Sequence, residues 1–329
     1  MLDVAGLWPK QLLLADQTAR RSGQLGFCFA FGLNLPGLWW IHISMTVFGG
    51  IPLPVAFLMV ALLAAYLALF PMAACWLWAR LSPNRTTKPG WMTTLVAFPA
   101  FWLLGDWAMG HVLTGFPWLF IGYSQTDTTL ATIAPVFGVL GVSLLVALLA
   151  GGLAWVVQGP SLRRAAVVGA VLVATLAGLQ LLDREWTQPA ADPIDVVLLQ
   201  GNIAQDKKWD PRYRDITLER YQALTAQHLG ADIVIWPEAA IPMRHDQAKA
   251  YLAELEALAD QAGTSLMIGV PVREAEGRTY NAVVSLSDPS GFYYKRHLVP
   301  FGEYQPWGFG WFFKLASIHA GALEEPQFV

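Results

Sequence analysis

Charge is what this sequence is short of. Its 21 Lys and Arg and 24 Asp and Glu make up 14% of 329 residues, where a soluble globular chain carries roughly 25%. With 55% hydrophobic residues and a positive mean hydropathy, that shortage excludes a chain that is water-soluble throughout. Cysteine is scarcer still. Cys28 and Cys75 both sit in apolar runs, without the spacing or companions of a disulfide framework or a zinc site. Both are expected to pack as small hydrophobes between helices. No cleavable leader is expected either, since residues 1–10 are neither basic nor long enough in their apolar part.

The charge that is present is unevenly placed. Residues 1–182 hold eight Lys/Arg and four Asp/Glu, whereas residues 183–329 hold thirteen and twenty, giving net charges of +4 and −7. Two regions of different solvent preference follow: a membrane region over 1–182, a linker over 183–193 and a water-facing domain over 194–329.

Crossing a bilayer core of about 30 Å takes about 20 apolar residues. Five segments qualify: 24–45, 54–79, 91–112, 130–157 and 165–182. The earlier pieces VAGLWP and LLLA are too short and read as the tail of a helix that begins before this chain. Lys10, Arg20 and Arg21 precede the first span, Arg80, Arg85 and Lys88 fill the second loop, and Arg163 and Arg164 fill the last. All eight cations thus fall on alternate sides. The positive-inside rule then puts residues 1–23 in the cytoplasm and everything after Leu182 outside it. WWIHISMTVFGGIP and LTGFPWLFIGYSQ set Trp, His, Tyr and Gly-Pro turns at the outer span ends. They read as an interfacial aromatic belt, or as a lipid- or substrate-facing rim. His42 and His111 are isolated, and no ligand role is expected of them.

Beyond Pro193, short β-branched runs alternate with amphipathic stretches. IDVVLLQ and DIVIW read as buried strands, and SLMIGVP as a third. YNAVVSLSD and GFYYKRHLV read as two more, joined by an Asp-Pro-Ser-Gly hairpin turn. Asp210-Pro211 opens a helix with apolar positions Tyr213, Ile216, Tyr221 and Leu224, ended by Gly230. A second helix over 246–262 buries Leu252, Leu255, Leu258 and Ala262 and stops at Gly263. The order implies an α/β layered domain.

Two constellations in it bear on chemistry. In DIVIWPEAAIP, Glu238 lies just beyond a strand end, where sites of α/β folds form, braced by Pro237 and Pro242. Screened from water by Trp236, it would suit general-base work; alternatively it caps a helix or pairs with a surface Arg. In FYYKRHLVPFGEYQP, alternation along a strand puts Lys295 on the side of Tyr293 and His297, with Arg296 opposite. Such a lysine offers an ammonium to a developing oxyanion, or merely guards a sheet edge. Glu303 follows a Pro300-Phe301-Gly302 bend that returns the chain towards Lys295.

WPEAAIP and YYKRHLVPFGEYQP resemble two signature segments of the nitrilase, or carbon–nitrogen hydrolase, superfamily. Together with LLQGNIAQDKKWDP (198–211) and the two aromatic loops, they are similar to its membrane-embedded branch, the apolipoprotein N-acyltransferases. The resemblance implies a membrane helical bundle followed by an extracytoplasmic αββα nitrilase-like domain, incomplete here. It implies a multi-pass protein of the bacterial inner membrane with the soluble domain in the periplasm. The reaction implied moves an acyl chain from a phospholipid, through a cysteine thioester, to the N-terminal α-amine of a diacylglyceryl-bearing apolipoprotein. The family's Glu–Lys–Cys triad places Glu238 as general base and Lys295 as oxyanion-stabilising cation, with Glu303 and Trp209 in support. No cofactor, metal or nucleic acid is implied, because the ester supplies its own leaving group.

The departure from the pattern is the nucleophile: no Cys follows Cys75, and both cysteines fall in expected spans. The chain is therefore expected to be a piece of a longer protein, truncated at both ends and unable alone to complete a cycle. Two further readings stand beside this one. They are a membrane-tethered amidase of the same superfamily and a non-catalytic lipid- or lipoprotein-binding remnant.

Overall fold

In a computed structural model of the chain, residues 17–82, 90–274, 279–286, 291–299 and 303 are described. Lys10, Arg85, Lys88, the short apolar pieces before residue 17, Asp288-Pro289-Ser290 of the expected hairpin turn and the Pro300-Phe301-Gly302 bend lie outside that description. The chain divides into two compact units, Met1–Ser44 with Pro52–Gln188, and Met45–Ile51 with Pro189–Val329.

The first unit is helical. Its long helices are α1 (Ala19–Gly37), α2 (Leu53–Leu81), α3 (Phe98–Met109, entered through π-helical Met92–Ala97), α4 (Ala134–Gln158) and α5 (Leu162–Leu182). Thr18 caps α1 and Ser161 caps α5, each side-chain oxygen accepting an N–H of the first turn. Among the described residues, four helical stretches are long and apolar enough to cross a membrane. A fifth results if α1 and the following Ile41–Phe48 count as one span, though they meet at 53°. The stretch expected as a single span over 24–45 is thus bent. The interior forms two apolar clusters: Cys75, Trp78, Phe98, Trp102 and Val146 in one, and Leu38, Val60, Leu67, Met109 and Phe120 in the other. Cys75 is buried as expected, but Cys28 is exposed on α1, because its side chain falls off the Ser22, Gly26, Ala30 face that packs inward.

The second unit is built on a five-stranded sheet in sequential order. Strands β1 (Val196–Leu198), β2 (Ile233–Ile235) and β3 (Ser265–Arg273) are parallel. β4 (Thr279–Ser285) and β5 (Phe292–Tyr294) continue antiparallel. The parallel pairs require crossovers, supplied by α6 (Arg214–Ala226) and α7 (His245–Ala262). Gly263 stops α7 in the left-handed conformation at φ 69°. The core holds Val234, Leu266, Ile268, Val270, Ala282 and Val284 from the sheet, with Tyr221, Leu252 and Leu255 from the helices.

Several details differ from the sequence reading. Among the described residues, β1 lies at one edge of the sheet rather than buried within it, with Val196 43% and Leu198 74% exposed. Only Val197 packs against the core. α6 begins at Arg214, because Pro211–Tyr213 forms a 3-10 turn capped by Asp210. Its buried positions are Thr217, Tyr221 and Thr225, while Ile216 is exposed and the helix ends at Ala226, before Gly230. Both threonine hydroxyls donate to carbonyls four residues back, at 2.8 Å, so their burial leaves no donor unmet. In α7 the buried set is Ala248, Leu252, Leu255 and Ala259; Leu258 is exposed and Ala262 half-buried. β5 stops at Tyr294, so Lys295 lies just past the strand.

The turn after β2 is fixed by close backbone approach. Ala240 N and Ile241 N both donate to Gly269 O, at 2.9 and 3.4 Å. Gly269 sits within β3 where a Cβ would lie 2.3 Å from Pro237 O and 2.8 Å from the Glu238 Cα. Those obstacles are backbone atoms, which cannot rotate away. Gly269→Ala is therefore expected to destabilise the domain by about 1–3 kcal/mol; an unchanged thermal midpoint would show that the turn yields freely.

Candidate active site

Three stretches of chain converge in the second unit. Glu238 sits two residues past Trp236 at the end of β2, on the turn just described. Lys295 follows β5, and its backbone N–H donates to Asn281 O at 2.8 Å, extending the pairing with β4 by one residue. Glu303 comes back onto Lys295 from further along. Its backbone N–H donates to Val299 O at 2.9 Å, and its Oε2 accepts the Val299 N–H at 2.7 Å.

The ammonium of Lys295 bridges the two carboxylates, at 3.2 Å to Glu238 Oε1 and 2.7 Å to Glu303 Oε1. Asn281 makes the same bridge: its Nδ2 donates to Glu238 Oε1 and, at 3.4 Å, to Glu303 Oε1. The two carboxylates differ in setting. Glu303 is 15% exposed and tucked beneath, whereas Glu238 is 61% exposed and open at the surface. Among the described residues, Glu238 Oε2 accepts no hydrogen bond. Among the described residues, Glu238 neither caps a helix nor pairs with an Arg, and Lys295 is tied to two carboxylates rather than standing as a solvent-facing edge guard.

The charges tune one another. Burial alone would push the Lys295 ammonium down, but hydrogen bonds and charge from Glu303 and Glu238 outweigh it and hold the pKa above the usual lysine range. Glu303 is pushed up by burial and pulled down further by Lys295, the Val299 N–H and Asn281, so its carboxyl lies below the ordinary carboxylate range. At neutral pH the cluster is a fixed cation with an ionised carboxylate beneath it. Lys295 acts there as charge and donor rather than as a proton carrier.

The screening of Glu238 by Trp236 is not present. Trp236 is 2% exposed, its indole stacked on Tyr221 at 4.8 Å and donating to Thr225 Oγ1 at 3.1 Å. Side chains alternate along a strand, so the tryptophan enters the core while the turn beyond carries Glu238 out. Trp209 is half-exposed on the turn before α6. Among the described residues, no hydrogen bond or ring contact brings it to Glu238, Lys295 or Glu303.

Two residues at the site escaped the sequence reading. Asn281 was legible in principle. In TYNAVVS it alternates with Ala282 and Val284 of the core, which puts a polar amide on the opposite face of an interior strand. Lys208 was hidden in the charged run QDKKWD, yet its Nζ donates to the Glu238 carbonyl oxygen at 3.1 Å. Among the described residues, no three His, Cys, Asp or Glu side chains gather as a metal would require.

The open carboxylate and the doubly paired lysine both lie in a stretch that matches a known family. Residues 196–310 match the family model described as Carbon-nitrogen hydrolase, and residues 1–152 match Apolipoprotein N-acyltransferase N-terminal domain. Relatives named apolipoprotein N-acyltransferase include three that cover most of this chain. One from Methylococcus capsulatus is 46% identical over 285 residues, covering 85% of this chain and 55% of its own length. One from Chromobacterium violaceum is 41% identical, covering 95% of the chain and 62% of its length. One from Vibrio cholerae is 37% identical, covering 97% and 65%. The chain belongs to the apolipoprotein N-acyltransferase family, and it spans somewhat more than half the length of these curated relatives.

Linkage gives the cluster a pH signature. A depressed folded pKa for Glu303 contributes stability that is present above the unfolded carboxylate value, roughly 4.3. It is lost as pH falls through the folded value. The gap in thermal midpoint between wild type and Glu303→Gln is therefore expected to hold from pH 7 to roughly 5 and to shrink below roughly 4.3. A gap that is the same at pH 3 and pH 7 would mean that the carboxylate charge contributes nothing.

Proposed function

We propose that the protein of which this chain is part transfers a fatty acyl group from a phospholipid to the N-terminal α-amine of a diacylglyceryl-modified apolipoprotein. The observation that carries this reading is the Lys295 ammonium held between Glu238 and Glu303, in a carbon–nitrogen hydrolase domain that follows a set of apolar helices.

Geometry and charge support the following roles. Glu238, the open carboxylate, takes the proton of a cysteine thiol. The thiolate attacks the phospholipid ester carbonyl, and the tetrahedral oxyanion forms beside the Lys295 ammonium. Collapse breaks the ester C–O bond, and the proton on Glu238 goes to the departing alkoxide, leaving a thioester and a lysophospholipid. In the second half the α-amine attacks the thioester carbon, Glu238 accepts the amine's proton and the thiolate departs. Lys295 keeps its charge throughout, because Glu303 beneath it is ionised. Cys28 and Cys75 belong to α1 and α2 of the other unit, so the thiol is assigned to neither.

Placement in the bacterial inner membrane, with the hydrolase domain on the periplasmic side, rests on the basic residues. Arg20 and Arg21 lie at the start of α1, Arg80 at the end of α2, and Arg163 and Arg164 at the start of α5. If each apolar stretch crosses once, these ends share one side.

In the full-length protein, Glu238→Ala and Lys295→Ala are each expected to lower transfer by at least about 100-fold while leaving membrane insertion unchanged. Labelled phospholipid, with the acyl-enzyme trapped and released by hydroxylamine, checks both half-reactions. Transfer within threefold of wild type in either variant removes that residue from the mechanism. Water rather than the amine as acceptor would point instead to an amidase-like hydrolase.

A further inference from the structure

Lys208 is the half-buried member of an otherwise exposed stretch over residues 204–209. That stretch is a closed turn: Lys207 N donates to Ala204 O at 2.9 Å and Asp210 N to Lys207 O at 3.2 Å. Asp210 fixes its exit by accepting the Arg212 N–H at 2.9 Å. The two neighbouring lysines part company. The Lys207 ammonium lies over the Tyr213 ring, 4.9 Å from its centroid. Lys208 instead reaches the Glu238 carbonyl oxygen at 3.1 Å.

That carbonyl belongs to the peptide between Glu238 and Ala239, and Ala239 is held at φ 47°. The residues beyond it are bound to Gly269 O by two N–H groups. The peptide carrying the proposed base is therefore secured from one direction by β3 and from another by a cation. Desolvation loosens the proton on Lys208, and the charge of Glu238 restores part of that loss. A long flexible side chain forfeits rotamer freedom when it is held in this way, and Trp209 is the next residue on the same turn.

We infer that Lys208 is a positioning residue for acyl transfer: through the Glu238 carbonyl it locks the turn bearing the general base and couples it to the turn bearing Trp209. The inference rests on the proposed role of Glu238 as base. Lys208 touches no reacting atom. Its effect comes from the direction in which the Glu238 carboxylate points, and misplacement of a catalytic group by about 1 Å costs on the order of 100-fold in rate.

The test uses the full-length protein with labelled phospholipid and a diacylglyceryl peptide acceptor. Lys208→Met, which keeps the stem and removes the donor, is expected to lower kcat by about 10- to 100-fold with KM for phospholipid changed less than threefold. Lys208→Arg and Lys208→Gln, which keep an N–H donor, are expected to recover at least part of that loss, with Arg ahead. In combination with Trp209→Ala, the loss is expected to be smaller than the product of the single losses. Unchanged kcat in Lys208→Met, a loss confined to KM, or failure of both donor-bearing variants to recover activity would overturn the inference. A fully multiplicative double variant would overturn the coupling to Trp209. Lys295→Met measured alongside separates the two levels. If it retains transfer, the acyl-transfer mechanism fails whatever Lys208 does. If it is inactive while Lys208→Met matches wild type, only the positioning role fails.

Discussion

The water-facing domain turns on one ammonium held between two carboxylates. Two glutamates reaching the same point would repel each other, and one would take up a proton. Lys295 lies between them and offsets that repulsion. Burial works against the lysine, and the carboxylates more than compensate. The balance needs all three side chains at short range, yet they come from chain positions 57 and 8 residues apart. The sheet supplies the shared frame. β2 ends where Glu238 must start, and β4 carries Asn281, which binds both carboxylates. β5 releases the chain one residue before Lys295.

The division of labour between the carboxylates follows from exposure. Glu303 takes two backbone-anchored contacts with Val299 and sits beneath the lysine, so its charge sets the lysine's state without meeting solvent. Glu238 shares only Oε1 with Lys295 and Asn281. One carboxylate is thus structural in its electrostatics, and the other faces outward with a free direction of approach. An apolar screen around Glu238 is not needed for that asymmetry, because Trp236 is committed to the core.

Much of this was legible in the sequence, for identifiable reasons. The change in charge density near residue 182 separates lipid-compatible helices from an α/β domain, because hydropathy reports solvent directly. α7 was readable at both ends, since Gly263 and the Leu252, Leu255 spacing are local signals. Glu238, Lys295 and Glu303 were singled out from their motifs, and the structure brings them together. The failures share a different character. β1 looked buried because the apolar run in IDVVLLQ does not reveal which place in the sheet it occupies. The α6 stripe was misplaced because Thr217 and Thr225 bury through hydrogen bonds that hydropathy does not count. Trp236 was assigned to the site from adjacency in sequence, although it follows Val234 into the core and the turn beyond it carries Glu238 away. Asn281 and Lys208 act through partners 43 and 30 residues away, and no local pattern announces such contacts.

Ala239 has a consequence of its own. An L-residue in the left-handed region sits about 1 kcal/mol or more above its relaxed state, so the link after Glu238 resembles a latch closed under tension. The restraint lies in the main chain, in Gly269 O and the carbonyl that Lys208 holds, rather than in the rotamer of the glutamate. Apart from Lys295, Asn281 and Glu303, side chains around the carboxylate are therefore free to vary with substrate. The count of residues between the end of β2 and Ile241 is not, since one added or removed would unfasten the latch and turn the carboxylate away from its lysine.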